Sequence, residues 1–272
     1  MKTNYHTHSL WCDGRNTPEE MILSAIGKGF DEIGFSSHST YPDDNACTVP
    51  AEKLPGYFAE VRSLAEKYSQ RIKVFCGVEA DYIPGTTDPD RSRYACFAPD
   101  YIIGSVHYVI APDGARVSVD HSPEISREGV SLHFAGDVRA YLCAYFAQQR
   151  EMAERFDFDI IGHCDLCRKF NVKHPYFDEN AAWYLEELEA TADAFARSGK
   201  LVELNTGAIS RGWMDDAYPS EPFRAILREK GVKFVLGSDS HSAETIDCAF
   251  DRFGGAEDFV RFVPGRKQSH YR

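Results

Sequence analysis

The sequence has no apolar run long enough to cross a bilayer, so no helical membrane span is expected. Its first residues carry one lysine with no apolar stretch behind it, and no secretory leader is expected either. Basic residues are short, 30 Lys and Arg against 42 Asp and Glu, for a formal net charge of −12. A protein that follows a phosphate backbone is usually basic, so nucleic acid is not the expected partner. An anionic substrate is still compatible with this charge, because bound cations reverse the local field. Cys164 and Cys167 have no second C-x-x-C or C-x-x-H to complete a tetrahedral zinc site, and they read as buried packing. The other cysteines (Cys12, Cys47, Cys76, Cys96, Cys143 and Cys248) are scattered, which suggests reduced thiols in a cytoplasmic protein rather than a disulfide framework. Repeats, low-complexity tracts and flexible linkers are also missing. Residues 1–272 therefore read as one domain, with 264–272 a polar tail.

What is present is an alternation of short apolar strands, loops and helices, about seven times over. The chain opens with a strand-like stretch that puts His6 and His8 on one face and turns Thr7 away. Asp13-Gly14 then makes a turn. Thr17-Pro18-Glu19-Glu20 carries the signs of a helix start: a capping threonine, a proline for the first turn and a glutamate to close a capping box. Met21, Ile22, Ala25 and Ile26 give that helix its apolar face. Strands are expected at 31–36, 72–78, 100–106, 157–162, 201–204 and 233–237. Helices are expected at 50–70 (with a break near Pro55-Gly56), 137–156, 178–198 and 219–230, and 243–253 and 256–262 can be helical. Residues 109–136 read as irregular, with a hairpin turn at Asp113-Gly114 and a polar loop over 120–124. This order points to parallel strands with helical crossovers closed into a barrel.

Barrels of this kind build their sites at the carboxyl ends of the strands. Those ends carry His6 and His8, His38, Glu79, His107, His163, Asn205, and Asp239 with His241. Six of the ten histidines therefore fall at strand ends, where the barrel would bring them together. With Asp13 they form a set of nitrogen and oxygen ligands without cysteine. Such a set suits about two to three divalent ions of borderline to hard character, namely zinc, iron or manganese. Glu79, one acid among histidines, is the natural bridge.

These segments resemble the PHP (polymerase and histidinol phosphatase) superfamily. The resemblance lies in His6-Thr-His8, Asp13-Gly14, Ser37-His38-Ser39, Gly77-Val-Glu79, Gly104-Ser-Val-His107, Ile161-Gly-His163-Cys-Asp165 and Gly237-Ser-Asp239-Ser-His241, and it runs from residue 2 to about 253. The stretches 104–108, 161–170 and 203–207 are similar to the histidinol-phosphate phosphatase branch. Two departures, Ser240 where alanine is commoner and cysteines at 164 and 167, remove no ligand. The resemblance implies an α/β fold, a distorted seven-stranded (β/α)7 TIM-like barrel with three metals. His6, His8, Glu79 and Asp239 would hold one; Glu79, His107 and His163 the second; Asp13, His38 and His241 the third. It also implies hydrolysis of a small phosphate ester, foremost L-histidinol phosphate, by a hydroxide bridging the metals. Glu79 would organise that chemistry, and Asp239 or His241 would protonate the leaving oxygen. Another PHP phosphoesterase, acting on a nucleotide or sugar phosphate, and a metal-binding PHP domain without turnover are the alternatives. Phosphate contacts are expected from Arg168, Lys169, Asn205 and Arg211, since an arginine fork suits phosphate oxygens. Asp43, Asp44, Asp120 and Glu124 are acids that could receive the cationic alcohol part. The oligomeric state stays open at this point.

Overall fold

The computed structural model describes residues 1–41, 46–253 and 259–265. Asp43, Asp44 and most of the expected tail, including His270, lie outside them. In chain order the elements are β1 (Thr3–Asn4), α1 (Pro18–Gly27), β2 (Glu32–Phe35), α2 (Leu54–Lys67), β3 (Lys73–Cys76), β4 (Val78–Asp81), β5 (Ile102–Ser105), β6 (Tyr108–Ile110), β7 (Arg116–Ser118), α3 (Pro123–His133), α4 (Val138–Arg155), β8 (Ile160–Ile161), α5 (Ala182–Ser198), β9 (Leu201–Asn205), α6 (Gly207–Ser210), α7 (Glu221–Glu229), β10 (Phe234–Gly237) and α8 (Phe250–Phe253). No helix is long and apolar enough to cross a membrane among the described residues.

Strands pair in parallel as β1-β2-β3 and as β10-β9-β8-β5-β4, with β6-β7 a separate antiparallel hairpin. The described residues thus form two parallel sheets in place of the one continuous barrel sheet expected. Single parallel bridges, Thr7 with Ser240 and His38 with Glu79, link the sheets at two seams. Phe75, Ile103, Ile160, Leu201 and Val235, drawn from both sheets, pack with Tyr5, Tyr101 and Phe262 in one buried cluster. The sheets therefore face each other across it, and the helices cover the outside with a larger apolar core.

The third expected strand breaks in two at Gly77. A Cβ there would lie 2.7 Å from the Tyr101 ring, so only glycine lets the chain pass under that ring and leave one sheet for the other. Glu79 consequently sits inside β4 instead of at a strand end. The Thr17–Glu20 capping box forms as expected. α2 does not break at Pro55-Gly56: a 3₁₀ turn over Ala51–Lys53 precedes it, and Pro55 occupies its first turn, where no amide donor is needed. The Asp113-Gly114 hairpin is present between β6 and β7. Residues 120–124 are not simply loop, because Ser122 caps α3 with Pro123 in its first turn. At the other end, Phe259 bridges to Phe234 and Phe262 is buried, so 259–262 is extended along β10 rather than helical.

Candidate metal centre

The carboxyl ends of the strands converge on one patch. After β1 the chain stays extended, and Thr7 turns away to donate to the Gly34 carbonyl at 2.8 Å. His6 and His8 then point inward, both fully buried, with ring centroids 5.1 Å apart. His241, brought by the turn after β10, stacks on His8 at 4.1 Å, and its Nε2 lies 3.2 Å from Asp13 Oδ2. His38 reaches the same place from β2, with its ring 4.4 Å from that of His8.

Glu79 stands at the centre, 1% exposed. Its Oε1 faces His163 Nε2 at 2.8 Å and His107 Nε2 at 3.7 Å, and accepts from Ser105 Oγ at 2.6 Å. Its Oε2 faces His6 Nε2 and His38 Nδ1, both at 3.1 Å, and His8 Nε2 at 3.5 Å. Each oxygen thus serves a different group of imidazoles, as a bridging carboxylate must. Four groups have ligand atoms within 4.8 Å of one another: His8, Asp13, His38 and His241; His6, Glu79 and His163; His6, His8 and Asp239; and His38, Glu79 and His107. All nine expected ligands are in these groups. The groups overlap more than the three expected sets, with His6, His8 and His38 each shared.

The electrostatics suit cations. Burial pushes the Glu79 carboxyl up, but the His6 and His38 imidazoles outweigh it and hold the group well below the usual range. Burial opposes ionisation of Asp239 as well, and Arg211 and His6 hold it well below. Asp13 is lowered in the same way, burial being overcome by His241 and His38. His8 is pushed down to about 3 by burial, with His241 and His38 adding to the effect. The carboxylates and His8 are therefore in the protonation states that metal ligation requires, whereas at His6 burial is outweighed by Glu203 and Glu79, which hold the imidazole well above its usual value, so that a metal there must displace a proton. His8 Nε2 and His163 Nδ1 are buried without a hydrogen-bond partner. The first lies 3.3 Å from Asp239 Oδ1 and 3.5 Å from Glu79 Oε2, aimed with them at a common point. An orphaned buried acceptor among ionised carboxylates fits divalent ions.

A second layer of side chains was not anticipated. Asp81 Oδ1 accepts from His107 Nδ1 at 2.7 Å and from the His107 amide at 3.2 Å. Burial alone would lower the His107 pKa, but Asp81 outweighs it, helped by Glu79, and raises it to about 10. Glu203 Oε1 lies 2.8 Å from His6 Nδ1. The signal was in the two-residue strand period: Asp81 shares a face with Glu79, and Glu203 with Asn205.

The expected phosphate contacts divide. Arg211 sits at the centre, its guanidinium 3.1–3.2 Å from both Asp239 carboxylate oxygens and 2.9 Å from His241 Nδ1. Lys169 lines the same cavity, donating to Asp120 Oδ2 at 2.9 Å. Arg168 does not reach it: its Nε donates to Glu179 at 2.7 Å in a buried setting behind the site. Asn205 is fully buried beneath Asp239 and does not line the cavity, so it is a support and not a contact. The cavity is about 270 Å³ and also carries Tyr41, Tyr108, Asp120 and His121 on its wall. Glu124 lies away from it, exposed in the first turn of α3.

Residues 4–207 match the PHP domain family. Over 267 residues the chain is 32% identical to the Deinococcus radiodurans protein named "Probable histidinol-phosphatase", covering 96% of this chain and 93% of that one. Its fold is similar to a crystal structure from Listeria monocytogenes, at TM-score 0.83 and 23% identity over 93% of this chain and 100% of the other. It is also similar to a histidinol phosphate phosphatase of Lactococcus lactis complexed with zinc, L-histidinol and phosphate, at TM-score 0.71 and 23% identity over 98% of each chain. Those two likenesses establish the fold, and the match over 4–207 with the near full-length relative establishes the family. A parallel α/β scaffold whose strand ends gather histidines around a shared glutamate is thus placed by its sequence as well as its shape: the chain belongs to the PHP domain family.

Proposed function

We propose that this protein is a metal-dependent phosphomonoesterase that hydrolyses L-histidinol phosphate to L-histidinol and phosphate. The observation that carries the reading is Glu79, with its two buried oxygens facing separate imidazole groups. A relative 32% identical over nearly the whole chain favours the histidinol ester. We read the two sheets and their two bridges as one distorted seven-stranded barrel, 1–272 as a single domain, and the eight free thiols as those of a cytoplasmic protein.

His6, His8, Asp13, His38, Glu79, His107, His163, Asp239 and His241 would hold two to three divalent ions, zinc, iron or manganese. Such ions, when bound, neutralise phosphate oxygens and make water nucleophilic near neutral pH. The chain's own residues do the rest. Arg211 presents a guanidinium fork to the phosphate, and Lys169, which lines the same cavity, adds charge. Asp239 is held ionised, so it has no proton to give, and His241, with Arg211 2.9 Å from its Nδ1 and its other nitrogen needed for an ion, has none either; the leaving oxygen takes its proton from water at the rim. Asp120 and the Tyr41–Tyr108 pair, ring centroids 5.9 Å apart, form a wall suited to a small cation carrying a flat ring.

Phosphate release from histidinol phosphate, nucleotide monophosphates and sugar phosphates, measured with added zinc, iron or manganese, tests the reading. Preference for histidinol phosphate is expected. Equal or better turnover of a nucleotide or sugar phosphate would give the alternative substrate class, and no turnover with any ester would remove the enzyme reading.

A further inference from the structure

We propose that Glu203 is the positioning residue of the metal centre: its carboxylate fixes His6 with the proton on Nδ1, leaving Nε2 for a metal, and ties three ligand-bearing strand ends together. The inference rests on the metal-centre reading above and goes beyond it, because Glu203 is not one of the ligands.

Glu203 lies in β9, 1% exposed, and every contact asks it to accept. Oε2 takes the backbone N–H of His163 at 3.2 Å and Asn205 Nδ2 at 3.0 Å. The Asn205 amide cannot be turned over, because its Oδ1 already accepts from the Gly207 amide at 2.8 Å. Both partners of Oε2 are therefore obligate donors. Oε1 is left for His6 Nδ1 at 2.8 Å, and a carboxylate oxygen can only receive a proton there. Without an ion both ring nitrogens face carboxylate oxygens, since Nε2 lies 3.1 Å from Glu79 Oε2; a metal shared with Glu79 can displace only the Nε2 proton, because Glu203 holds the one on Nδ1. This is the arrangement by which an outer carboxylate orients a ligating histidine.

Through these bonds one side chain reaches His6 after β1, the His163 backbone after β8 and, through Asn205, Asp239 after β10, whose Oδ2 is 3.4 Å from Asn205 Nδ2. The sequence keeps the space open. A Cβ on Gly237 would stand 1.8 Å from Glu203 Oε1, so the strand beside it carries no side chain at that point. The Gly237 of the closing motif is thus explained by the carboxylate beneath it.

Glu203→Gln separates positioning from bulk. With its amide oxygen at His6, its NH2 would confront the two donors at the other end. Turned over, its NH2 would donate to His6 Nδ1 and force the proton onto Nε2, which blocks that nitrogen as a ligand. Zinc titration of the metal-free protein against a chelating dye is expected to show one site weakened about 10–100-fold in the variant, with the remaining sites unchanged. ¹⁵N-histidine NMR of the zinc-loaded wild type is expected to show His6 protonated at Nδ1. That measurement needs no variant, so it decides the matter even if Glu203→Gln fails to fold. A folded Glu203→Gln protein that binds zinc like the wild type, or His6 protonated at Nε2 in the zinc-loaded wild type, would overturn the assignment. A wild-type protein that takes up no zinc, iron or manganese at all would instead remove the metal-centre reading itself.

Discussion

Asp81→Asn is the perturbation whose consequences the structure specifies most fully. Asp81 holds His107 by two bonds, 2.7 Å to the ring and 3.2 Å to the backbone amide. In the metal-free protein burial opposes the imidazolium, yet Asp81 and Glu79 raise its pKa from 6.5 to about 10. A raised folded-state value stabilises the fold below the unfolded pKa, and that contribution is lost as pH rises from about 6.5 through about 10. A hydrogen bond to a charged group is worth roughly 1.5–3 kcal/mol, so the metal-free variant should lose about that much at pH 6. The two proteins should converge above about pH 10, where His107 is neutral in both. Metal binding must displace the proton on His107 Nε2, so zinc uptake by the wild type at pH 7 releases it and the variant releases about one proton fewer. Zinc affinity should fall about 10–100-fold, or roughly 1.4–2.7 kcal/mol. Calorimetric zinc titrations in buffers of different ionisation enthalpy count the protons, and thermal melts of the metal-free proteins across pH 5–10.5 read the stability. Equal proton release by the two proteins, or a stability deficit independent of pH, would show that Asp81 does not hold the proton on His107.

The two arginines expected at the phosphate should behave differently. Arg211→Ala is expected to raise KM for a phosphomonoester about tenfold or more, because it removes a charge that lines the cavity; an unchanged kcat/KM would take it out of the site. Arg168→Ala is expected to cost about 3–5 kcal/mol of stability by leaving Glu179 and the buried Asp165 without their cation, with KM of the remaining folded enzyme little changed. A melting temperature like the wild type's together with a raised KM would return Arg168 to the phosphate. Glu79→Gln should lower kcat/KM at least about a thousandfold, or roughly 4 kcal/mol, while the metal-free protein still melts cooperatively; residual turnover within tenfold of the wild type would deny Glu79 its bridging part.

The candidate ligands could be gathered from the chain because they sit where two simple rules meet. Strand periodicity sets His6 and His8 on one face, and parallel strands put their ends together, so residues as distant as His6 and Asp239 could be assigned to one place. What escaped depended on partners the chain order does not reveal. The break at Gly77 follows from the Tyr101 ring lying over it, a contact between residues far apart in sequence. Arg168 and Lys169 are neighbours after the same strand, yet a 3₁₀ turn over Leu166–Arg168 sends one to Glu179 and the other to the cavity. α3 was missed although Ser122-Pro123 marks its start, because exposed Ile125 and Leu132 blur its apolar face. Glu203 and Asp81 obey the same two-residue period as the candidate ligands, but each faces a histidine of that set rather than joining it, and that is what hid them.

If these histidines and carboxylates hold ions on which hydrolysis depends, metal content and turnover must rise and fall together. Elemental analysis of the purified protein, paired with its rate of phosphate release from histidinol phosphate before and after chelation, measures both. About two to three transition-metal ions per chain, with turnover lost on chelation and regained when the ions are returned, is the predicted result. A protein stripped of metal that keeps its full rate would contradict it.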